Sequence, residues 1–199
     1  MKAVLIGIDE AGRGPLAGPI AVGAFSVRNR NVLKLFKGVK DSKQLSERQR
    51  EEWFEKVKNQ KAKGEIFFAV SFSGAEVIDA KGITRATKAA LSRCLKRLEK
   101  EDFCHSRCRI LLDGSLYAPD RYPNQVTIID GDAKEKIIAL ASICAKVMRD
   151  RKMRRLAKRF PQYGFEVHKG YGTKAHYGAI KKHGASETHR KSFLKNFLF

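Results

Sequence analysis

Asp9 and Glu10 stand side by side, and Gly12-Arg13-Gly14 follows within four residues. Carboxylates bind hard metal ions. Glycines let backbone N–H groups come close to a phosphate or a sugar, and arginine suits phosphate by charge and geometry. Further acids close later apolar runs: Asp113, then Asp130 and Asp132. No histidine or cysteine stands with them, which favours hard, oxygen-seeking ions over zinc. Three or four carboxylates drawn together stay ionised only with cations between them. Mg2+ or Mn2+ is therefore the expected cofactor. Two such ions about 4 Å apart activate a water and stabilise a leaving oxygen in phosphodiester hydrolysis.

The elements that must position these acids follow from periodicity. Residues 2–9 read as a buried strand and 19–27 as a second, antiparallel to the first. Residues 66–72 make a third strand, Arg109–Asp113 a fourth and 125–129 a fifth. Neighbouring strand ends lie close in an α/β sheet, where such folds build sites. Asp9-Glu10, Asp113 and either Asp130 or Asp132 would meet there. One tension remains, because consecutive strand residues point to opposite faces. Asp9 and Glu10 share a site only if the strand ends or bulges at Glu10, or if one acts through its main chain. Ser46 with Gln49 predicts a capping box opening a helix to about residue 58, with Trp53 and Val57 on its apolar stripe. Helices are expected over 75–80, 84–98, 134–159 and 174–182, with a loop over 162–171 and a helical start to 185–199. The fold class is an α/β sheet covered by helices.

Composition narrows the partner. Lysine and arginine number 41 against 21 acidic residues, a net charge of +20 over 199 residues. Such an excess predicts a polyanion, nucleic acid first. No apolar run approaches the length of a membrane span and no secretory signal is visible, so a cytoplasmic protein is expected; with no oligomerisation seam evident, a monomer is expected. Cys94, Cys104, Cys108 and Cys144 are scattered without a CxxC pair. Cys104-His105-Ser106-Arg107-Cys108 lacks a second pair of zinc ligands at usual spacing.

The acidic and glycine stretch also carries a family resemblance. The run from Asp9 to Pro19, Asp-Glu-Ala-Gly-Arg-Gly-Pro-Leu-Ala-Gly-Pro, resembles the opening signature of type 2 ribonucleases H, the ribonuclease HII family. Asp41-Ser42-Lys43-Gln44-Leu45-Ser46, Leu112-Asp113-Gly114 and Gly131-Asp132 follow in order. So do the stretches from Ala141 to Asp150, Phe160 to Phe165 and His168 to Thr173, then His183-Gly184-Ala185 and Arg190-Lys191-Ser192-Phe193. The resemblance covers nearly the whole chain. It implies a ribonuclease H-like fold: a mixed five-stranded sheet flanked by helices, with a catalytic domain over 1–160 and a C-terminal loop and helical extension over 161–199. It also implies a catalytic, metal-binding set of Asp9, Glu10, Asp113 and Asp132, the Gly-Asp match favouring Asp132 over Asp130.

The implied activity is hydrolysis of the RNA strand of RNA/DNA hybrids. Duplex DNA would also be nicked 5′ of an embedded ribonucleotide, giving 3′-hydroxyl and 5′-phosphate ends during ribonucleotide removal from DNA. Only the 2′-hydroxyl marks such a nucleotide. The resemblance gives its recognition to Gly12-Arg13-Gly14, and gives Tyr171 the role of packing on the next deoxyribose. Lys43, Lys146, Arg149 and Lys169 lie in or beside the matched stretches and are expected to follow the phosphates. Cys144, Met148 and the charged run Lys134-Glu135-Lys136 depart from the family pattern. Met148 and Cys144 are expected to be packing changes. The basic, aromatic tail from Lys191 to Phe199 reads either as packing on the core or as a peptide that docks on a sliding clamp.

Overall fold

The computed structural model describes residues 4–103 and 108–195. Cys104 to Arg107 of the weak zinc pattern, the expected strand start at residue 2, and Phe197 to Phe199 of the tail lie outside the described residues.

The chain runs β1 (Leu5–Ala11), β2 (Ile20–Val27), α1 (Glu47–Ala62), β3 (Ile66–Ser73), α2 (Ala75–Lys81), α3 (Ile83–Lys100), β4 (Arg109–Asp113) and β5 (Gln125–Ile128). It continues with α4 (Gly131–Lys134), α5 (Lys136–Arg159), α6 (Phe165–His168) and α7 (Lys174–His183). The five strands form one sheet in the order β3-β2-β1-β4-β5. β1, β2 and β3 pair antiparallel, whereas β4 joins β1, and β5 joins β4, in parallel. This is the mixed ribonuclease H-like sheet that the resemblance implied.

β2 is buried along its whole length, because helices cover both faces of the sheet. Leu5 and Ala11 of β1 pack with α1 and α5 on one face. Ile6 and Ile8 pack with Leu91, Cys94, Leu95 and Leu98 of α3 on the other. Each fully buried isoleucine contributes about 1.5–3 kcal/mol. α5 lies very close to the sheet. A Cβ on Gly7 would stand 2.3 Å from the Ile137 carbonyl oxygen, and one on Gly23 2.4 Å from that of Ala141. The far end of α5 carries Met153 and Ala157 into a third cluster with Leu16, Tyr163, Phe165 and Ile180. Residues 161–195 are thereby packed against the loop that follows β1.

Ser46 caps α1 through the expected capping box with Gln49, an arrangement worth about 1 kcal/mol. Phe54 and Val57 are the buried stripe, with Trp53 only half-buried beside Phe36. Three expectations need correction. The helix expected over 134–159 is broken at Glu135, whose backbone is extended. α4 has its first N–H groups held at the end of β4, whereas α5 crosses the sheet, and one straight axis cannot satisfy both. Residues 162–171 are not all loop: a 3-10 turn at Pro161–Tyr163 precedes α6, because Tyr163 and Phe165 stack 5.4 Å apart in the third cluster. The segment after α7 does not begin as a helix. Its backbone bridges Ala17 at His189 and forms only a 3-10 turn at Lys191–Phe193, because Arg190 is drawn into the loop before β2. Among the described residues no helix is long and apolar enough to cross a membrane.

Candidate active site

The parallel register sets Ile8 opposite Leu112, which brings Asp9 and Asp113 to neighbouring strand ends. β5 ends beside Asp113, and the chain turns through Asp130 in the left-handed region at φ 54°. That turn delivers Gly131 and Asp132. Asp113 Oδ1 accepts from the Gly131 N–H at 2.7 Å and the Asp132 N–H at 3.2 Å. Carboxylate oxygens of Asp9, Asp113 and Asp132 lie within 4.8 Å of one another. Asp9 and Asp132 are buried, whereas Asp130 is exposed and stands outside the group.

Glu10 bears out the alternation argument. β1 stays extended through Ala11, so Asp9 leaves on the α5 side, where Ser142 hydrogen-bonds it. Glu10 leaves on the opposite side and pairs with Arg13 at 3.7 Å. It is not one of the three clustered carboxylates, yet its charge and that of Asp113 still act on each other. Burial, with Glu10 and Asp113 adding to it and Ser142 opposing, pushes the Asp9 carboxyl up to about 8. Burial chiefly raises Glu10 as well. Oxygen donors in this number, with no histidine or cysteine among them, fit a hard divalent cation. Such an ion would offset the burial, and with it the carboxylate repulsion, that holds a proton on Asp9.

Lys43 Nζ donates to Asp132 Oδ2 at 3.0 Å while its side chain stays largely exposed. Asp41 caps the turn carrying Lys43 by accepting from its N–H at 2.8 Å. Burial and the nearby Asp132 raise the Asp41 carboxyl. Ser42 and Ser142 share a hydrogen bond at 2.8 Å, which ties this turn to the helix carrying the Asp9 partner.

The glycine loop is built from behind. Arg149 is completely buried, and it donates from Nε to the Pro19 carbonyl at 2.9 Å and from Nη2 to that of Ala17 at 3.3 Å. A Cβ on Gly12 would fall 1.9 Å from Arg149 Nε. Arg190, also buried, donates to the carbonyls of Gly18, Arg13 and Gly12 at 3.0, 2.8 and 2.7 Å. By contrast, nothing lies within 4 Å of a Cβ on Gly14. Tyr171, 44% exposed, has its ring 5.9 Å from the Arg149 guanidinium carbon.

The basic candidates separate. Arg149 as a phosphate contact is corrected: with no exposed surface it cannot reach a phosphate, and Nε and Nη2 are taken up by the loop it supports, while Nη1 is buried without a hydrogen-bond partner. Lys146 pairs with Asp150 at 2.8 Å and Lys169 with Glu47 at 3.5 Å, and both are largely covered. Either could serve a phosphate only by leaving its partner. Lys43 and Arg13 are paired too, with Asp132 and Glu10, but their side chains stay exposed. Sequence reasoning passed over Ser142, Asp41, Arg190, His176 and His189. Four of these five lie in or beside stretches with the family pattern, but only the fold shows what they touch.

Comparison with known proteins gives one family and one fold. The Ribonuclease HII family model matches residues 6–196. A ribonuclease HII of Ruminiclostridium cellulolyticum is 44% identical over 98% of this chain and 71% of its own length. The ribonuclease HII of Archaeoglobus fulgidus, solved in complex with PCNA, superposes with a TM-score of 0.74 at 27% identity, covering 94% of this chain and 93% of that one. Ribonuclease H2 of Pyrococcus horikoshii gives 0.73 at 26% identity over 95% and 93%.

Proposed function

The chain belongs to the ribonuclease HII family and is a hydrolytic endoribonuclease of the ribonuclease H type 2 class; from that premise we propose that it is metal-dependent, cuts the RNA strand of RNA/DNA hybrids, and nicks duplex DNA 5′ of an embedded ribonucleotide. The products are 3′-hydroxyl and 5′-phosphate ends.

The observation that carries this reading is the convergence of Asp9, Asp113 and Asp132 on a chain of net charge +20. A protein that only bound nucleic acid would gain nothing by setting buried carboxylates against a polyanion. Those three side chains, with Glu10 beside them, would hold the ions. Divalent cations held there supply activation of a water and stabilisation of the leaving oxygen. Ser142 and the α4 N–H groups fix the carboxylates in place, so little reorganisation is left for the reaction. Lys43 offers an ammonium at the rim of the group, where a phosphate would lie.

Recognition falls to the neighbouring loop. Gly12 is accounted for by Arg149, but among the described residues nothing lies within 4 Å of a Cβ on Gly14. Open space at that residue suits close approach of a sugar, with main-chain groups reading its 2′-hydroxyl. Tyr171 stands exposed nearby and is read as packing on the following deoxyribose, where a second hydroxyl would collide. We assign the general basic surface, rather than Lys146 or Lys169 singly, to the phosphates. Removal of ribonucleotides from DNA, action as a cytoplasmic monomer, and docking of the tail on a clamp belong to the same proposal.

The test is a DNA duplex holding one ribonucleotide, end-labelled, with Mg2+ or Mn2+, beside an EDTA control and an all-DNA duplex. A metal-dependent nick 5′ of the ribonucleotide is expected. Binding without a nick in either metal would overturn the reading.

A further inference from the structure

His168, His176 and His189 lie apart from the acidic group, in the third cluster against Tyr163 and Phe165. His168 and His176 stack with centroids 4.3 Å apart. His176 and His189 are buried, and their Nε2 atoms lie 3.0 Å from each other.

Their partners decide where each proton sits. His176 Nδ1 is 2.9 Å from the Tyr171 carbonyl, which only accepts, so Nδ1 bears the hydrogen and Nε2 is bare. His189 Nδ1 receives the Ser186 N–H at 2.9 Å, so its hydrogen is on Nε2, aimed at the bare Nε2 of His176. His168 donates from Nε2 to the Tyr163 carbonyl at 2.7 Å and receives the Gly170 N–H on Nδ1 at 3.2 Å. All three rings are thus neutral, each donating at one edge and accepting at the other. Burial holds His176 and His189 below the ordinary histidine range.

The ends of this relay are informative. Two of its bonds fall on the backbone of Gly170 and Tyr171. The Gly170 carbonyl in turn accepts from the Leu16 N–H at 2.8 Å, and the backbone of His189 bridges Ala17. One chain of rings therefore joins the loop of Tyr171 to the segment running from Gly12 to Pro19.

We infer that the His189–His176 relay is a positioning device: it fixes the Tyr171 backbone, and with it the ring, against the Gly12–Gly14 loop, and so sets selectivity for a ribonucleotide followed by a deoxyribonucleotide. The inference rests on the reading of Tyr171 above. The histidines touch no substrate; they act through the tyrosine. A rigid imidazole transmits position better than a flexible chain, since it has no rotor between its two hydrogen-bonding edges.

Two experiments test it. Nitrogen-detected NMR of the full chain with labelled imidazoles, near neutral pH, should show His176 protonated on Nδ1 and His168 and His189 on Nε2. Any other tautomer at His176 or His189, or a charged ring, overturns the relay, and no variant has to fold for this result. The second compares cleavage of a single-ribonucleotide duplex with cleavage of a long RNA/DNA hybrid. His176→Phe should lower the first relative to the second by about 10- to 100-fold, as expected of a displaced contact. His176→Asn, which can still donate to the Tyr171 carbonyl, should restore most of it. The double variant with Tyr171→Ala should be no worse than Tyr171→Ala alone. Equal loss on both substrates, or full additivity, overturns the inference. If Tyr171→Ala shifts the ratio and His176→Phe does not, the relay alone fails. If Tyr171→Ala leaves the ratio unchanged, the tyrosine reading fails first and takes the relay with it.

Discussion

Arg190 donates from Nη2 to the Gly12 carbonyl at 2.7 Å across 178 residues of sequence. With its bonds to Arg13 and Gly18 it uses the acceptor side of the loop. This guanidinium closes the C-terminal segment over the start of the catalytic sheet.

Arg190→Ala should leave the buried carbonyls of Gly12 and Gly18 and the part-buried one of Arg13 without that donor, at about 1–3 kcal/mol for each one that water cannot reach. A loss near 3 kcal/mol lowers Tm by roughly 6–12 °C in a chain of this size. Arg190→Lys should recover only part, because an ammonium cannot serve three acceptors in one plane. Thermal unfolding checks both. An unchanged Tm in Arg190→Ala would mean that the loop holds itself.

The two loop glycines should behave oppositely. Gly12 has φ 88° and faces Arg149, so Gly12→Ala should destabilise the fold by more than about 1 kcal/mol. Gly14 has open space where a Cβ would go, so Gly14→Ala should fold with a wild-type Tm and still lose cleavage at a single ribonucleotide. Equal stability loss in both variants would remove the argument that Gly14 serves the substrate.

Asp113→Asn keeps an oxygen to cap the Gly131 and Asp132 N–H groups and removes a charge from the cluster. Turnover should fall by more than the roughly 10- to 100-fold typical of groups that only support metal ligands, while affinity for the hybrid is retained. Filter binding beside single-turnover cleavage separates the two quantities. Parallel loss of both would assign Asp113 to binding instead.

The acidic group also predicts a pH dependence. Asp9 titrates near its ordinary 3.8 in the unfolded chain but at about 8 in the folded, metal-free protein. Between those values the folded chain keeps a proton that the unfolded chain has released. Stability of the metal-free protein from this group therefore falls as pH rises through that window. Divalent ions require the ionised form, so the Tm gain from added Mn2+ should grow between about pH 6 and pH 8, with proton release on binding. Calorimetry in buffers of different ionisation enthalpy measures that release. A gain independent of pH would place Asp9 outside the ion site.

His189 carries the opposite dependence. Burial, and then the neighbouring His176, lower it to about 4. Its neutral form contributes stability that is full above the ordinary value of 6.5 and is lost as pH falls from there toward 4. Hydrogen exchange at Tyr171 and His176 should quicken over that range before the amides of β1 and β2 do. Simultaneous exposure of all four segments would tie the histidines to global unfolding only.

Much of this protein is legible in one dimension. The β4 limits, the capping box at Ser46 and the run of acids after apolar stretches depend on local pattern, which period, caps and strand ends express directly. The family stretches add an expected mixed five-stranded sheet, and the observed sheet is of that kind. Spacing alone left Asp130 and Asp132 open; past the left-handed turn at Asp130 the Asp130 side chain is exposed, whereas that of Asp132 is buried and grouped with Asp9 and Asp113. The separation of Glu10 from the three clustered acids follows from β1 staying extended through it. Arg149 illustrates the other limit. Its charge and its place in a stretch matching the family read as a phosphate contact, yet its burial depends on the loop from Gly12 to Pro19, more than a hundred residues away, folding across it. Sequence records which groups can donate, accept or ionise; which of them face solvent and which face one another is set by long-range packing that local pattern does not encode.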